Sequence, residues 1–289
     1  MWFQLKVEHC PSDEIEQLSN ELEELGALSI MLTDKNDNPV LEPEPGTTPL
    51  WPEVTIQALF SEAIQAQYTR DQMSLTHPAL DLSLEILEDR DWERAWMDDF
   101  KPQRFGKRFW ICPTWSTPPE PDAVNLMLDP GLAFGTGTHP TTALCLTWLE
   151  QAELTNKSVI DYGCGSGILS LAALKLGAEQ LFAVDIDEQA LLATKNNALT
   201  NNLDKHQLFV SFPDALTEPV DLVIANILLA PLISLKERFH QLLHQDGRLV
   251  VSGLLEEQAP ILTEAYESVF TLVGQEHLNG WSLLIFAPK

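Results

Sequence analysis

Hydrophobic and polar residues alternate strictly over residues 3–8, at the start of the chain. A period of two predicts a half-buried β-strand. Between residues 15 and 25 the apolar spacing changes to three or four, which predicts an amphipathic helix. Ser12 is placed to cap this helix at its start, and Gly26 is placed to end it.

Apolar runs predict three further strands, at residues 27–32, 54–60 and 82–86. A short helix is predicted to begin at Ser61. Residues 34–52 are rich in proline, asparagine and acidic side chains, which predicts a loop. The resulting order, β-α-β-β-α-β, is that of an α+β ferredoxin-like domain. This part of the chain has no cluster of catalytic residue types, so we expect it to recognise a substrate.

After about residue 120, apolar runs alternate with helical patterns, which predicts a parallel, doubly wound α/β sheet. The last two runs are joined by Asn279-Gly280, a typical β-hairpin turn. The predicted strands are 159–162, 181–185, 207–212, 222–227, 248–252, 272–277 and 281–287, and the predicted helices are 168–176, 188–199, 231–244 and 256–269.

The two patterns predict a ferredoxin-like recognition domain at 1–89, an interdomain linker at 90–119 and a second domain at 120–289. In the linker, basic residues are interleaved with aromatic ones. Contact with RNA fits this composition, and so does aromatic packing between the domains with salt bridges to acidic neighbours. We favour packing, because these cations are too few to overcome the surrounding negative charge. The basic residues are Arg94, Lys101, Arg104, Lys107 and Arg108.

Acidic residues dominate the charge of the 289-residue chain, whose formal net charge is −26. Such a surface repels phosphates, so we expect no direct nucleic-acid binding. It attracts a basic partner, although solubility or a salt-adapted host would also explain the acidity. Residues 1–90 hold 18 acidic side chains and four basic ones, a local balance of −14.

Cysteine usage and hydropathy limit the class of protein further. The four cysteines are scattered without a C-x-x-C pair, which predicts neither a metal site nor a disulfide framework. No apolar run approaches the roughly 20 residues that span a bilayer. The N-terminus lacks the pattern of a signal peptide. We therefore expect a cytoplasmic protein without a membrane partner.

The clearest chemical signal is an apolar run that is followed by Gly163, Gly165 and Gly167. Such a turn between a strand and a helix can lie against a ligand, because glycine has no Cβ. Asp185 ends the next strand, where a carboxylate binds ribose hydroxyls, and Ile186 beside it is a further candidate contact. The G-x-G-x-G spacing and the closing hairpin favour S-adenosylmethionine over a dinucleotide. We therefore predict a class I methyltransferase sheet, which is Rossmann-like, at 120–289.

A second glycine- and hydroxyl-rich segment leads into a predicted helix near residue 140. Amides and hydroxyls at a helix N-terminus suit a carboxylate, here the methionyl end of the cofactor. His139 has no second His or Cys nearby in sequence, so we interpret it as a hydrogen-bonding residue. The predicted cofactor ligands of this segment are Phe134, Gly135, Thr136 and Thr142.

Two strand ends carry further polar candidates. Asp161 is predicted to hold the cofactor's ammonium, directly or through water, and the alternative is that it bonds the backbone of the glycine turn. Asn226 ends a buried strand at the carboxyl edge of the sheet, where open α/β folds bind ligands. It is the candidate catalytic residue and a cofactor contact, and the alternative is that it caps a turn.

Four segments together resemble the PrmA family, whose members methylate ribosomal protein L11. They are Asp-Trp-Glu-Arg with Phe-Lys-Pro, Phe-Gly-Thr-Gly-Thr-His-Pro-Thr-Thr, Asp-Tyr-Gly-Cys-Gly-Ser-Gly and Ala-Asn-Ile-Leu. The resemblance covers essentially the whole chain. It implies S-adenosylmethionine contacts at Thr142, Gly163, Asp185 and Asn226. It also implies capture of L11 by the ferredoxin-like domain and methylation of lysine side chains and the N-terminal amine.

Other classes of function are disfavoured by the same segments. Methyltransferases for glutamine amides or nucleobases commonly carry Asn-Pro-Pro-Tyr or Asp-Pro-Pro-Tyr, where this chain has Asn226-Ile-Leu-Leu. An NAD oxidoreductase is disfavoured by the glycine spacing, and a non-catalytic assembly factor by the complete set of cofactor residues. Because a carboxylate would keep an amine protonated, we expect no Asp or Glu in contact with the nucleophile.

Overall fold

The structure, a computed structural model, describes residues 1–11, 13–34, 53–87, 100–129, 139–203 and 206–289. The chain divides into two compact units, Met1–Ala95 and Trp96–Lys289. One cluster of buried hydrophobic side chains lies in the first unit and two lie in the second. In the described ranges, no helix combines the length and the apolar character needed to cross a bilayer.

The described residues of the first unit form an antiparallel sheet and two helices. Its elements are β1 (Trp2–Pro11), α1 (Ile15–Glu24), β2 (Ser29–Asp34), β3 (Glu53–Phe60), α2 (Ala63–Thr76) and β4 (Asp81–Leu87). The strand order β2-β3-β1-β4 confirms the ferredoxin-like prediction. Leu5 lies opposite Ala58 on one side and Leu84 on the other, and all three belong to the core of this unit.

Some predicted bounds of this unit are shifted in the structure, and the end of α1 explains the shift of β2. Helix α1 ends as predicted at Gly26, whose φ is +96°. The next amide, that of Ala27, donates to Leu22 O, so β2 begins two residues later than predicted. The predicted short helix at Ser61 is instead 14 residues long and begins at Ala63. The predicted cap Ser12 lies outside the described residues.

The second unit is built around a seven-stranded sheet of order β10-β9-β8-β11-β12-β14-β13. Strands β8 to β12 pair in parallel, and β14 is antiparallel to both its neighbours. This order confirms the predicted Rossmann-like methyltransferase sheet. The strands are β8 (Ser158–Tyr162), β9 (Gln180–Val184), β10 (Leu208–Ser211), β11 (Val220–Asn226), β12 (Leu243–Leu255), β13 (Phe270–Leu278) and β14 (Trp281–Pro288).

Helices pack on this sheet, and two of them are shorter than the sequence pattern predicts. The helices are α3 (Pro140–Gln151), α4 (Ile168–Lys175), α5 (Glu188–Thr200), α6 (Leu229–Ser234), α7 (Lys236–Gln241) and α8 (Ala259–Tyr266). The single helix predicted at 231–244 is two short helices that meet at Leu235. It ends early because Leu243 already pairs with Val220 in the sheet. The helix predicted from 256 begins with a 3₁₀ turn, Glu256–Gln258.

Part of the predicted linker forms a small sheet together with a strand that follows it. The strands β5 (Gln103–Phe105), β6 (Phe109–Cys112) and β7 (Val124–Met127) are paired in that order. The Arg104 guanidinium lies 5.8 Å from the Trp110 ring centroid and 3.5 Å from a Glu120 oxygen. Arg108 approaches Glu150 at 3.6 Å. These contacts include the salt bridges to acidic neighbours that were predicted, whereas aromatic packing between the domains stays a prediction. Arg94 lies outside the described residues.

Candidate active site

The carboxyl ends of the parallel strands form one edge of the large sheet. The chain runs outward from β8 through β9 and β10, then returns to β11 on the other side of β8. The edge between β8 and β11 is therefore the topological switch point, where open α/β sheets bind ligands. Ile224 pairs with Asp161 across this boundary, which places Asn226 beside the glycine turn.

The glycine turn after β8 requires residues without side chains. Gly163, Gly165 and Gly167 have φ values of +86°, +54° and +80°, in the left-handed region that favours glycine. A Cβ on Gly167 would lie 2.8 Å from the Thr194 side chain. The amide of Gly163 donates to Val184 O at 2.8 Å, which ties the turn to the end of β9. The backbone of this turn is therefore held in one conformation and can lie directly against a ligand.

Asp185 is held by backbone amides at both of its oxygens. Oδ2 accepts from the Gly165 amide and Oδ1 accepts from the Asp187 amide, each at 3.0 Å. The side chain is half-buried, and each oxygen keeps a lone pair with which to accept a hydroxyl. Asp187, the other acid in this loop, is the N-cap of α5 and accepts from the Gln189 amide at 2.9 Å.

The side chain of Asp161 does not bond the glycine turn as the alternative interpretation predicted, because its described hydrogen bonds go to Ser170 in α4. Its contact with the cofactor's ammonium stays a prediction. Asp161 is fully buried, and its Oδ2 accepts from the Ser170 amide and hydroxyl at 2.9 and 2.6 Å. Its Oδ1 is also buried, but no described residue donates to it. Burial raises the pKa of Asp161 to about 6, and the charge of Asp185 acts in the same direction, while the bonds from Ser170 oppose it. A buried carboxylate oxygen without a partner fits a cationic ligand group such as an ammonium.

Asn226 and Thr142 meet although 84 residues separate them. The Asn226 Nδ2 donates to the Thr142 Oγ1 at 3.3 Å. Thr142 is buried in the first turn of α3, whereas Asn226 is half-buried. The Asn226 carbonyl oxygen receives no hydrogen bond from the described part of the chain. It is therefore available as a neutral acceptor at the edge of the sheet.

His139 begins α3 as its N-cap, which agrees with the hydrogen-bonding role predicted for it. Its Nδ1 accepts from the Thr141 amide at 3.3 Å and lies 2.7 Å from the Thr141 hydroxyl. Its ring contacts Trp281 edge to face, with the centroids 4.7 Å apart. Desolvation lowers the pKa of His139 below its ordinary value, so the neutral, accepting form is favoured.

Comparison with known proteins identifies the family of this chain. The model of the family "Ribosomal protein L11 methyltransferase (PrmA)" matches residues 1–289. A ribosomal protein L11 methyltransferase of Legionella pneumophila is 71% identical over 289 residues, 100% of both chains. One of Hahella chejuensis is 48% identical over 287 residues, 98% of this chain and 97% of the relative. The chain belongs to the ribosomal protein L11 methyltransferase family.

A solved structure supports this assignment at the level of the fold. The ribosomal protein L11 methylase of Lactobacillus delbrueckii subsp. bulgaricus superposes with a TM-score of 0.61 and is 31% identical. The match covers 66% of this chain and 100% of that one. By its family, the protein is an S-adenosylmethionine-dependent protein methyltransferase.

The structure brings most of the predicted site residues to one edge and offers one further candidate that the sequence analysis did not name. Ile186 is 86% exposed immediately after Asp185. Phe212, which was not predicted, is 45% exposed directly after β10, so two apolar side chains follow neighbouring strands. The signal for Phe212 was its position after a strand at the carboxyl edge. Three predicted residues lie outside the described ranges: Phe134, Gly135 and Thr136.

Proposed function

We propose that this protein transfers methyl groups from S-adenosylmethionine to amine nitrogens of ribosomal protein L11, at lysine side chains and at the N-terminus. The observation that carries the proposal is the carboxyl edge of the sheet, where a fixed glycine turn lies between Asp161 and Asp185. Full-length similarity to L11 methyltransferases supports the choice of substrate. The reaction belongs in the cytoplasm, where ribosomal proteins are made.

Each part of the cofactor has a chemically matched group at this edge. Asp185 would accept from the ribose hydroxyls, since its orientation is already fixed by two amides. The free Oδ1 of Asp161 would receive the methionyl ammonium. Ile186 and Phe212 would cover the adenine with apolar surface. Thr142 and the segment before it would bind the methionyl end. When bound, the sulfonium supplies an electrophilic methyl group.

The nucleophile must be a neutral amine, and the described site is suited to that form. A free lysine has a pKa of about 10.4, so the neutral form at pH 7.5 costs about 4 kcal/mol. A carboxylate in contact with the amine would increase this cost. Asn226 instead offers an uncharged oxygen, which would accept one N–H and direct the nitrogen lone pair towards the methyl group. The lost proton passes to water, and alignment supplies most of the acceleration.

The first unit is proposed as the substrate-recognition domain, over residues 1–89, followed by a linker at 90–119 and the methyltransferase domain at 120–289. Helix α1 contributes acidic side chains to an open concavity of about 620 Å³, which suits a cationic polypeptide. Its lining residues are Asp13, Glu16, Gln17, Asn20, Glu21 and Glu24.

An acidic docking surface predicts that the KM for L11 rises with ionic strength, because salt screens the attraction between the two charged surfaces. The affinity for the cofactor should change little over the same range of salt.

Cofactor choice is tested by thermal unfolding in the presence of candidate ligands. S-adenosylhomocysteine at about 100 times its Kd should stabilise the protein by roughly 2.7 kcal/mol, which corresponds to an increase in Tm of about 5–10 °C. NAD at the same concentration should leave Tm unchanged, because the glycine turn is not built for a pyrophosphate. Stabilisation by NAD alone would contradict the proposal.

The choice of substrate is tested by mass spectrometry of L11 after incubation with enzyme and cofactor, which identifies the methylated amines.

Asp161 gives cofactor binding a specific pH dependence. In the cofactor-free protein its raised pKa means that stability is lost as pH rises through about 6, because a buried charge forms. A bound ammonium stabilises that charge, so affinity for S-adenosylhomocysteine should rise with pH through about 6 and then level off. Calorimetry at pH 5.5 in two buffers of different ionisation enthalpy should detect proton release on binding. Asp161→Asn should abolish this release; an unchanged release would assign the proton to another group.

A further inference from the structure

The residue after Asn226 lies against two glycines, one in the turn after β8 and one in strand β12. Gly253, in β12, has a φ of +89°, and a Cβ there would lie 2.4 Å from Ile227 O and 2.9 Å from Ile227 N. The backbone of Ile227 therefore packs directly on the backbone of β12. Asn226 itself pairs with Ser252, the residue before this glycine. One side of the loop after β11 is fixed in this way.

The other side of the same loop is fixed by the Ile227 side chain. A Cβ on Gly163 would lie 2.5 Å from Ile227 Cγ2, so this methyl occupies the space that the first glycine of the cofactor turn leaves open. Because Cγ2 branches directly from Cβ, it moves only if χ1 or the backbone moves. The contact is therefore a short, stiff link between the cofactor turn and the residue next to Asn226.

We propose that Ile227 is a positioning residue, whose Cγ2 methyl sets the distance between the Asn226 amide and the cofactor turn. The inference rests on the proposed role of Asn226 in orienting the amine. Methyl transfer depends on near-attack geometry, in which a displacement of about 1 Å costs up to 100-fold in rate. A link of one methyl group between the two sites would limit such displacement.

A merely structural explanation is that Ile227 fills space, since it also packs against one of the two cores of the second unit. Two conservative variants separate the explanations. Ile227→Leu keeps the number of carbons but removes Cγ2, whereas Ile227→Val keeps Cγ2 and removes only Cδ1. Both changes alter core packing modestly, so both should lower Tm by a few degrees.

The positioning role predicts different kinetics for the matched pair. Ile227→Leu should lower kcat about tenfold or more, with the Kd for S-adenosylhomocysteine within threefold of wild type. Ile227→Val should retain kcat within twofold. If both variants slow equally, or neither slows, the inference is overturned. It is also overturned if the slower Leu variant has lost cofactor affinity in proportion.

A double variant tests whether Ile227 acts through Asn226. If it does, Asn226→Ala combined with Ile227→Leu should be no more than twofold slower than Asn226→Ala alone. Multiplying effects would overturn the inference and leave the role of Asn226 intact. A near-normal Asn226→Ala would refute the proposed role of the amide, and the inference with it. A slow Asn226→Ala beside a normal Ile227→Leu would refute the inference only.

Discussion

Asp185→Ala should weaken binding of S-adenosylhomocysteine at least about 100-fold, measured by titration calorimetry. Hydrogen bonds to a charged group contribute about 1.5–3 kcal/mol each, and Asp185 is placed to accept two from the ribose. The loss should be large because both oxygens are already oriented, by the amides of Gly165 and Asp187. Little of their binding energy would be spent on ordering the side chain.

Asp187→Ala is the matched control, two residues further along the same loop. Asp187 caps α5 through the Gln189 amide, so its removal should cost about 1 kcal/mol of stability and leave cofactor affinity near that of wild type. The comparison separates loss of a ligand contact from loosening of the loop. Equal loss of affinity in the two variants would show that Asp185 acts through loop structure and not through the ribose.

Asn226→Ala should lower kcat about 100-fold or more while the protein keeps its fold and its Tm to within a few degrees. Removing the amide leaves the incoming amine without an acceptor that orients its lone pair, and deletion of one such oriented group typically costs 10²–10³ in rate. The bond to the Thr142 hydroxyl is lost as well, which should cost about 1 kcal/mol of stability. Single-turnover transfer to L11 measures the effect directly.

Asn226→Asp tests why the acceptor must be neutral. The carboxylate has nearly the same shape but would hold the substrate amine in its protonated form, since an opposite charge raises an amine's pKa. Turnover relative to wild type should therefore be low at pH 7.5 and recover as pH rises towards 10, whereas the deficit of Asn226→Ala relative to wild type should stay the same. Normal turnover of the Asp variant at neutral pH would contradict the neutral-acceptor mechanism.

Much of the fold follows from periodicity, because period-two and helical spacings report which side chains must be buried. These spacings predict the order of the main elements in both units, including the closing hairpin. At its turn, Asn279 and Gly280 have φ values of +50° and +81°. Periodicity was least informative for short elements. Strands β5 and β6 are three and four residues long, too short to show a period, and they lie in what was predicted to be a linker.

Site residues could be predicted from the sequence where a short local pattern specifies the type of residue needed. Glycine at alternate positions after a strand, and a carboxylate at the end of the next strand, are constraints of backbone geometry and ribose chemistry. Asp161 was not decided by such a pattern, because a carboxylate at that position serves either the turn or a ligand. Only packing shows that one oxygen is used by Ser170 and that the other is buried without a donor.

The sequence by itself therefore determined the two sheets, the glycine turn and the family of the protein, all of which depend on neighbouring residues or on short motifs. The tertiary structure decided how separate motifs meet: Thr142 with Asn226, and Ile227 between Gly163 and Gly253. These contacts join strands and helices that are distant in the chain. Their geometry is set by the register and packing of the whole sheet, which no local pattern encodes.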